Sequence, residues 1–452
     1  MKRFQINKEK ISKIEKLIEI KNEKLLIRNL EDLHYADIAE IIEELTIPKA
    51  TYLIKLLESD KTADALAEVD EDFREKILNK LSSKEIANEI QELDTDDAAD
   101  LIAELPEDRK EQVMSEISDS DHLEDIRELL TYEENTAGSL MAKELVKVEE
   151  DLSILNCVNE MRTQALQVTR VHSIYVVNSK NKLLGRLSLK DLLTANSKSK
   201  IKDIYIPKVD FVYVNQEAEE VAKIMSKYDL AAIPVVNNKK ELLGRITIDD
   251  ILDLIKEEAD KDYQLAAGIS NDIEADDNIL DHTKARLPWL FLGLIGGLGS
   301  VFILQDFEKL MNEPQLRSLF FYTPLIAAMA GNVGVQSSAI IVQGIANDVL
   351  KGSLWSRLLK EISLSLINGF ILAILLILFG LLINQDLFIS FTVAISMMGV
   401  ITIAALIGTF VPILLNKRGI DPAIATGPFI TTSNDIFGIF LFFYLAQIIL
   451  EF

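Results

Sequence analysis

The C-terminal part of this 452-residue sequence contains five long apolar stretches. Each is long enough to cross the hydrocarbon core of a bilayer as a helix, which requires about 20 residues. The stretches run approximately over residues 287–305, 319–345, 363–384, 387–415 and 425–450. Because a backbone in lipid must satisfy its own hydrogen bonds, they predict a polytopic α-helical membrane domain of five transmembrane helices within residues 284–452.

The N-terminal part has the opposite character. Basic and acidic residues balance from Lys284 to the C-terminus, so the whole net charge of −24 belongs to residues 1–283. This acidity disfavours nucleic acid as a partner and favours cations, while solubility alone is the simpler explanation of an acidic domain. The N-terminus lacks the apolar core of a signal peptide, so we expect residues 1–283 to be cytosolic.

The connections after the second and fourth apolar stretches indicate the orientation of the membrane domain. They carry the basic pairs Arg357 with Lys360 and Lys417 with Arg418. With a cytosolic N-terminus, both connections lie in the cytosol, as the positive-inside rule prefers. We therefore expect a multi-pass protein of the cytoplasmic (inner) membrane with an extracytosolic C-terminus.

Residues suited to soft-metal or enzymatic chemistry are scarce. Cys157 is the single cysteine, which excludes an internal disulfide and a cysteine-cluster metal site. The four histidines lack ligand spacing, and no nucleophile–base set, phosphate-binding loop or catalytic metal motif is present. We expect no enzymatic activity.

Residues 1–132 are predicted to form short amphipathic helices, because apolar residues recur at helical spacing. Three of these segments resemble one another: residues 36–45, 84–93 and 96–105. Such similarity is typical of an all-α superhelical domain of stacked helix pairs. Asp96 and Asp97 open one helix, where either a favourable interaction with the helix dipole or cation binding explains them.

Two passages within residues 133–250 form an internal repeat. LLGRLSLKDLL at 183–193 and LLGRITIDDIL at 242–252 each contain a glycine turn, a short strand, a hydroxyl residue and, three places later, an aspartate that opens a helix. The passages resemble the tandem CBS (cystathionine-β-synthase-type) pair, an α/β module, here at about 139–198 and 202–250. Members of that family commonly bind adenine nucleotides or cations.

The CBS motif matches three positions in each copy: Gly185, Ser188 and Asp191 in the first, and Gly244, Thr247 and Asp250 in the second. The resemblance makes Ser188, Asp191 and Thr247 candidates for binding an adenine nucleotide such as ATP. The same hydroxyl-to-acid spacing suits a helix capping box, which is a sufficient structural explanation.

Residues 251–283 continue a helical, acidic pattern toward the membrane. The pattern predicts an amphipathic linking helix. Such a helix either couples a sensor to a pore or is an inert spacer.

Polar residues interrupt the second and fifth apolar stretches. The second contains Gly331, Asn332, Gly334 and Gln336, and the fifth contains Thr431, Thr432, Ser433, Asn434 and Asp435. Lipid offers no hydrogen-bond partner to such side chains, so neither face can point at lipid.

Asp435 lies about 15 Å into the last stretch at 1.5 Å per residue, near the middle of the bilayer. An ionised carboxylate there costs about 2.5–3.5 kcal/mol, so it must face water, a cation or a hydrogen-bonding helix. Hydrated Mg²⁺ suits one carboxylate among neutral oxygens. A second copy of Asp435 across a twofold axis would add a second charge, which predicts a homodimer with the pore at or near its axis.

The order of these parts resembles the MgtE family of bacterial magnesium channels over essentially the whole chain. Four motifs carry the resemblance: ENTAGSLM (134–141), RLPWL (286–290), GNVGVQS (331–337) and DPAIATGPFITTSND (421–435). The resemblance implies magnesium import along a pathway lined by Asp435. The other candidate pore residues are Asn332, Gln336, Gly331, Gly334, Thr431 and Thr432.

The resemblance also implies closure by cytosolic Mg²⁺ bound between the helical domain, the CBS pair and the linking helix. The matching acids are Asp96, Asp97, Glu219, Asp229, Asp250, Asp253, Glu258 and Asp421. Clustered carboxylates repel one another until a dication bridges them, so magnesium would favour the compact arrangement. This chain has Lys261 where some family members have an acid.

Two other functions remain open. The first is a broader carrier for Mn²⁺, Co²⁺ or Ni²⁺, against which the lack of clustered His and Cys argues. The second is a nucleotide sensor whose membrane spans only anchor and dimerise it. An anchor has no need of an acid in the middle of the bilayer.

Overall fold

A computed structural model describes residues 7–57, 60–166, 168, 170–196, 199–270, 273, 275, 277–308, 317–347, 349–350 and 352–450. The chain divides into two compact units, residues 1–255 and residues 256–452. The first unit holds the helical domain and the CBS pair. The second holds the end of the linking helix and the membrane domain.

The described residues of the helical domain form ten short helices. They are α1 (Lys8–Glu19), α2 (Glu23–Leu30), α3 (Tyr35–Glu43), α4 (Ile47–Leu57), α5 (Asp60–Ala67), α6 (Glu71–Leu78), α7 (Ser83–Ile90), α8 (Thr95–Ala103), α9 (Glu107–Glu116) and α10 (Ser120–Leu129). Helices two apart along the chain pack on each other, as α3 does on α5 and α7 on α9. This stacking confirms the predicted all-α superhelix.

Local sequence sets the boundaries of these helices. Asp70 accepts a hydrogen bond from the backbone N–H of Phe73 and so caps α6. Ser82 and Glu85 form a capping box at the start of α7. Apolar residues at helical spacing, such as Ile38 and Ile42 in α3, are buried in the shared core.

The two CBS copies have the same topology, which confirms the internal repeat and the α/β fold. The first contains β1 (Val146–Glu149), α11 (Ile154–Gln164), β2 (Ile174–Val177), β3 (Leu183–Leu187) and α12 (Leu189–Thr194). The second contains β4 (Val212–Tyr213), α13 (Ala218–Tyr228), β5 (Ala232–Val236), β6 (Leu242–Thr247) and the start of α14 (Ile248–Ala267). In each sheet the first strand pairs parallel with the second, and the second pairs antiparallel with the third.

The linking helix differs from the expected segment at both ends. Helix α14 begins at Ile248 and ends at Ala267, whereas a single helix was expected over residues 251–283. Gly268 follows it with a φ of +79°, a left-handed conformation that ends helices and that glycine adopts without steric cost.

Five helices among the described residues of the second unit are long and apolar enough to span a membrane, which confirms the predicted membrane domain. They are α15 (Ile279–Asp306), α16 (Thr323–Ala346), α17 (Leu354–Leu382), α18 (Leu387–Asn416) and α19 (Gly427–Ile449). Short 3₁₀ turns, Arg317–Tyr322 and Pro422–Ala425, precede α16 and α19.

Glycines allow the membrane helices to approach closely. A Cβ atom added at Gly408 of α18 would lie 2.3 Å from the carbonyl oxygen of Gly334 on α16. A Cβ at Gly438 of α19 would lie 2.9 Å from Ala330 of α16. Small residues at such contacts are how membrane helices pack without a hydrophobic driving force between them.

We predict that Gly408→Ala destabilises the membrane domain by about 1–3 kcal/mol, because the new methyl group would collide with backbone that cannot move aside. Thermal unfolding of the full chain in detergent measures this effect. Gly297→Ala is the matched control, because nothing lies within 4 Å of a Cβ there. Equal unfolding temperatures for the two variants would contradict the prediction.

Candidate functional site

A cavity of about 820 Å³ lies between α15 and α19 in the second unit. Asp435 lines it together with Thr431 and Thr432, so one face of α19 presents a carboxylate and two hydroxyl side chains. Residues 266–269, at the end of α14, also line the cavity. The structure thus brings together three of the predicted pore residues.

The glycines of α16 bring that helix against the polar face of α19. A Cβ at Gly331 would lie 3.2 Å from Cγ2 of Thr431 and 3.7 Å from Oδ1 of Asp435. A Cβ at Gly334 would lie 1.8 Å from Nδ2 of Asn434. Both glycines therefore act by allowing close approach and do not line the cavity themselves.

The other two predicted pore residues lie elsewhere on α16. Asn332 and Gln336 are exposed, and neither lines the cavity. Their spacing of four residues places them on one face of the helix, in the middle of the span. This face is polar although the segment is apolar enough to cross a membrane.

Other polar residues, outside the set of predicted pore residues, line the cavity or lie at contacts between the membrane helices. Arg286 and Trp289 line the cavity, and the indole N–H of Trp289 is buried without a hydrogen-bond partner among the described residues. Asn434 is 1% exposed, and neither the oxygen nor the nitrogen of its side-chain amide has a hydrogen-bond partner among the described residues. Glu361 of α17 accepts a hydrogen bond of 2.5 Å from Ser337.

A second group of acids lies in the first unit, where α8 meets the CBS pair. We call Asp94, Asp96, Asp97, Glu144 and Asp250 the acidic cluster. Asp94 is the N-cap of α8, Asp96 and Asp97 are in its first turn, and Asp250 is in the first turn of α14. The structure therefore brings together three of the predicted metal ligands and adds Asp94 and Glu144.

Desolvation and crowding raise the pKa values of the four aspartates in the cluster. Desolvation and the neighbouring carboxylates raise the pKa of Asp94 to about 6 and that of Asp97 to about 7. Desolvation and Asp97 raise the pKa of Asp96 well above its usual value. Desolvation also raises the pKa of Asp250, against the hydrogen bonds that Thr247 donates to it. Charging the whole cluster is therefore unfavourable without a compensating cation.

Thr95 joins α8 to the CBS pair beside the acidic cluster. Its backbone N–H and its hydroxyl both donate to Oε2 of Glu144, at 3.2 and 2.8 Å. The same hydroxyl accepts a hydrogen bond of 2.8 Å from the backbone N–H of Lys143. Since Thr95 is fully buried, these bonds fix the contact between the helical domain and the CBS pair.

The remaining predicted ligands of the first unit are not members of the acidic cluster as defined. Asp253 of α14 acts on Glu68, whose pKa is raised by desolvation and then by the Asp253 charge. Glu219 is in the first turn of α13, where Lys223 forms an ion pair with it at 2.8 Å. Asp229 follows the end of α13 with a φ of +51°.

In the second unit a lysine lies between two predicted ligands. The ammonium of Lys261 is 3.3 Å from Oε1 of Glu258. This hydrogen bond and the charge of Glu258 raise the pKa of Lys261, and the charge of Asp421 contributes. Asp421 also accepts a hydrogen bond from the backbone N–H of Ala423, which caps the turn before α19.

The hydroxyl residues of the two CBS motifs hydrogen-bond to the acid three places later. Ser188 Oγ donates to Oδ2 of Asp191 at 2.6 Å, and accepts from the backbone N–H of Asp191 at 3.0 Å. Thr247 Oγ1 donates to Oδ2 of Asp250 at 2.7 Å. These contacts stabilise the starts of α12 and α14.

Across the described part of the chain, no three His, Cys, Asp or Glu side chains converge closely enough to hold a metal ion directly. The acids of the cluster are near enough to affect each other's pKa but not near enough to share a bare ion. This geometry suits a hydrated dication held through water, or ligands that close in as the ion binds.

Family profiles match three parts of the chain. The MgtE profile, described as a divalent cation transporter, matches residues 323–445. The profile of the MgtE intracellular N domain matches residues 33–135, and the CBS domain profile matches residues 137–198 and 201–257.

Relatives of known function match most of the chain. It is 31% identical over 418 residues to the magnesium transporter MgtE of Bacillus subtilis, which covers 92% of each protein. It is 33% identical over 324 residues to the MgtE of Enterococcus faecalis, covering 72% of this chain and 71% of the relative.

A solved structure resembles the soluble part. The cytosolic domain of the Mg²⁺ channel MgtE in complex with ATP has a TM-score of 0.51 and 29% identity to this chain. The match covers 54% of this chain and 99% of that structure.

We predict that the first unit loses stability as the pH rises from about 5 to about 8 in the presence of a chelator. The raised pKa values of Asp94 and Asp97 mean that the folded state holds protons which the unfolded state releases from about pH 4 upward. Thermal unfolding of the full chain measures the loss. It should be smaller in Asp97→Asn and unchanged in Asp108→Asn, an exposed first-turn acid of α9. A stability that rises with pH over this range would refute the prediction.

Proposed function

Because the chain belongs to the MgtE family of magnesium transporters, we propose that it is a magnesium channel of the cytoplasmic membrane that cytosolic magnesium closes. The observation that carries the transport assignment is the Asp435 carboxylate, which faces a cavity in the middle of the last span beside two threonine hydroxyls. The family consists of transporters and not enzymes, in agreement with the absence of a catalytic motif.

The chemistry of the cavity favours magnesium over softer metals. Among the described residues that line it, the side chains able to act as ligands carry oxygen, and neither His nor Cys is present. Mg²⁺ prefers oxygen ligands and keeps several of its waters, so a single carboxylate with two hydroxyls can hold it in hydrated form. Mn²⁺, Co²⁺ and Ni²⁺ remain competitors that the same oxygen ligands can accept.

We also propose that the channel is a homodimer. The support is the exposed face of α16, where Asn332 and Gln336 lie within a membrane span and cannot be left against lipid. A second copy at a twofold axis would place these two residues and a second Asp435 around a shared, water-filled path. The N-terminus would be cytosolic and the C-terminus extracytosolic, as the basic connections favour.

The proposed closure uses the acidic cluster. Desolvation and the neighbouring carboxylates raise the pKa of Asp97 to about 7, so a dication that compensates the charge of the cluster stabilises the contact between α8 and the CBS pair. Asp253, Glu258 and Asp421 would extend the same response along the linking helix. Glu219 and Asp229 would bind magnesium separately, on α13.

ATP is the proposed second ligand of the first unit. The support is the related cytosolic domain that was solved with ATP. Ser188, Asp191 and Thr247 occupy the motif positions, so nucleotide binding would compete with their capping contacts.

We predict that Asp435→Asn abolishes magnesium uptake into proteoliposomes, because the amide cannot offset the charge of a dication in a low-dielectric path. Uptake of Mg²⁺ at low magnesium on the cytosolic face measures the effect. Asp386→Asn is the matched control, since Asp386 caps α18 outside the cavity and asparagine caps equally well.

Uptake by Asp435→Asn at the wild-type rate would refute the assignment of Asp435. A folded wild-type protein without uptake would instead favour an anchored sensor.

We predict that Asp97→Asn raises the cytosolic magnesium concentration needed for half-closure by about tenfold, the effect of losing about 1.4 kcal/mol of binding free energy. The reason is that one carboxylate fewer faces the ion. The same flux assay, with magnesium varied on the cytosolic face, measures this concentration. Asp108→Asn should leave it unchanged, and an unchanged value in Asp97→Asn as well would remove the acidic cluster from the closing mechanism.

A further inference from the structure

Arg245 is the buried arginine beside the acidic cluster. It lies on β6 of the second CBS copy and is only 5% exposed. Arginine is rarely buried to this extent unless its charge is paired. Its guanidinium therefore requires partners within the protein.

The partners of Arg245 come from both sides of the domain contact. Nη2 lies 3.6 Å from Oδ2 of Asp94, the N-cap of α8 in the helical domain. Nη1 donates a hydrogen bond of 3.1 Å to the backbone carbonyl of Arg170 in the CBS pair. Nε is buried and has no partner among the described residues. The guanidinium of Arg245 thus links the helical domain to the CBS pair, and its Nε–H donor has no partner among the described residues.

The guanidinium of Arg245 on β6 lies beside α8, whose N-cap Asp94 is its ion-pair partner, so it brings a buried positive charge to the acidic cluster. Separating α8 from the CBS pair would take Asp94 away from Arg245. The separation costs free energy if the guanidinium then stays buried without a partner.

We propose that Arg245 is a built-in cation of the acidic cluster, which holds the helical domain against the CBS pair independently of magnesium. The inference rests on the proposed magnesium-dependent closure and assigns part of that closure to the protein itself. Magnesium then supplies only the charge that Arg245 leaves uncompensated. The charge of Arg245 therefore determines how much the contact between the helical domain and the CBS pair weakens when magnesium is removed.

The internal repeat provides a matched control. Arg186 occupies the same place in the LLGR sequence of the first copy, and its backbone pairs with Ile206 as that of Arg245 pairs with Ala142. Arg186 is exposed, so its guanidinium carries no buried charge. Replacing it tests the loss of an arginine at an equivalent backbone position without loss of the domain contact.

Hydrogen exchange of the full chain, followed by mass spectrometry in detergent, tests the proposal. The reporters are the backbone amides of Thr95 and Lys143, whose hydrogen bonds cross the domain contact. In EDTA, both amides of Arg245→Met should exchange about tenfold faster than in wild type, because the ion pair with Asp94 across the domain contact is lost. Arg186→Met should exchange at the wild-type rate, and millimolar magnesium should restore protection in Arg245→Met.

A second variant guards against unfolding of the CBS copy. Asp94→Asn removes the charge on the helical side, leaves Arg245 in place and keeps a good N-cap residue. In EDTA, Arg245→Met should accelerate the same amides much less when Asp94→Asn is already present than in the otherwise wild-type chain, because both changes remove one interaction. The amides of Ile174–Val177 in β2 report whether the CBS core itself remains folded.

The outcomes separate this proposal from the proposed function. Wild-type rates in EDTA for Arg245→Met, or an equal acceleration by Arg245→Met with and without Asp94→Asn, would overturn the role of Arg245. If magnesium fails to slow exchange in the wild-type protein, the magnesium-dependent closure fails, whereas the comparison in EDTA still decides the role of Arg245.

Discussion

The hydrocarbon core of the bilayer offers no hydrogen-bond partner to a polar side chain, and the membrane domain is organised around that constraint. Glycines remove the side chains that would otherwise separate α16 from the polar face of α19. Close approach lets the helices satisfy several polar groups themselves, as when Ser338 donates to the carbonyl of Ala425 at 2.8 Å. The carboxylate of Asp435 is left facing a cavity and not lipid, which is the arrangement that a conducted ion requires.

In the first unit, the same electrostatics has a different use. Desolvation and then the neighbouring carboxylates raise the pKa values of Asp94 and Asp97, so ionising the acidic cluster is unfavourable. In the proposed closure, magnesium relieves the repulsion between the helical domain and the CBS pair. The strength of their contact then increases with the magnesium concentration.

Sequence patterns predicted the features that are determined by residues close together in the chain. The five spans, the duplicated CBS unit, the capping contacts of Ser188 and Thr247, and the polar run ending at Asp435 all follow from local spacing. Glu361 was overlooked because the predicted span began at residue 363, whereas α17 begins at Leu354. The end of the linking helix depended on the conformation of Gly268, which no periodicity reveals.

The acidic cluster was predicted only in part, since its members come from distant parts of the chain. Asp96 and Asp97 were predicted as neighbouring acids in one helix, whereas Asp94 was not among the candidate ligands. Glu144 and Arg245 join them only through packing of α8 against the CBS pair. The two LLGR passages are alike in sequence, and only burial distinguishes Arg245 from Arg186.

The end of α14 and the start of α19 meet at two glycines, which contact backbone and a proline ring. A Cβ at Gly427 would lie 2.1 Å from the carbonyl oxygen of Ala266, and one at Gly268 would lie 2.3 Å from the ring of Pro428. No flexible side chain separates α14 from α19 at these two contacts, so neither helix end can shift there without displacing the other. A rotation or translation of the end of the linking helix would therefore also move the start of α19. That start lies about two helical turns before Asp435.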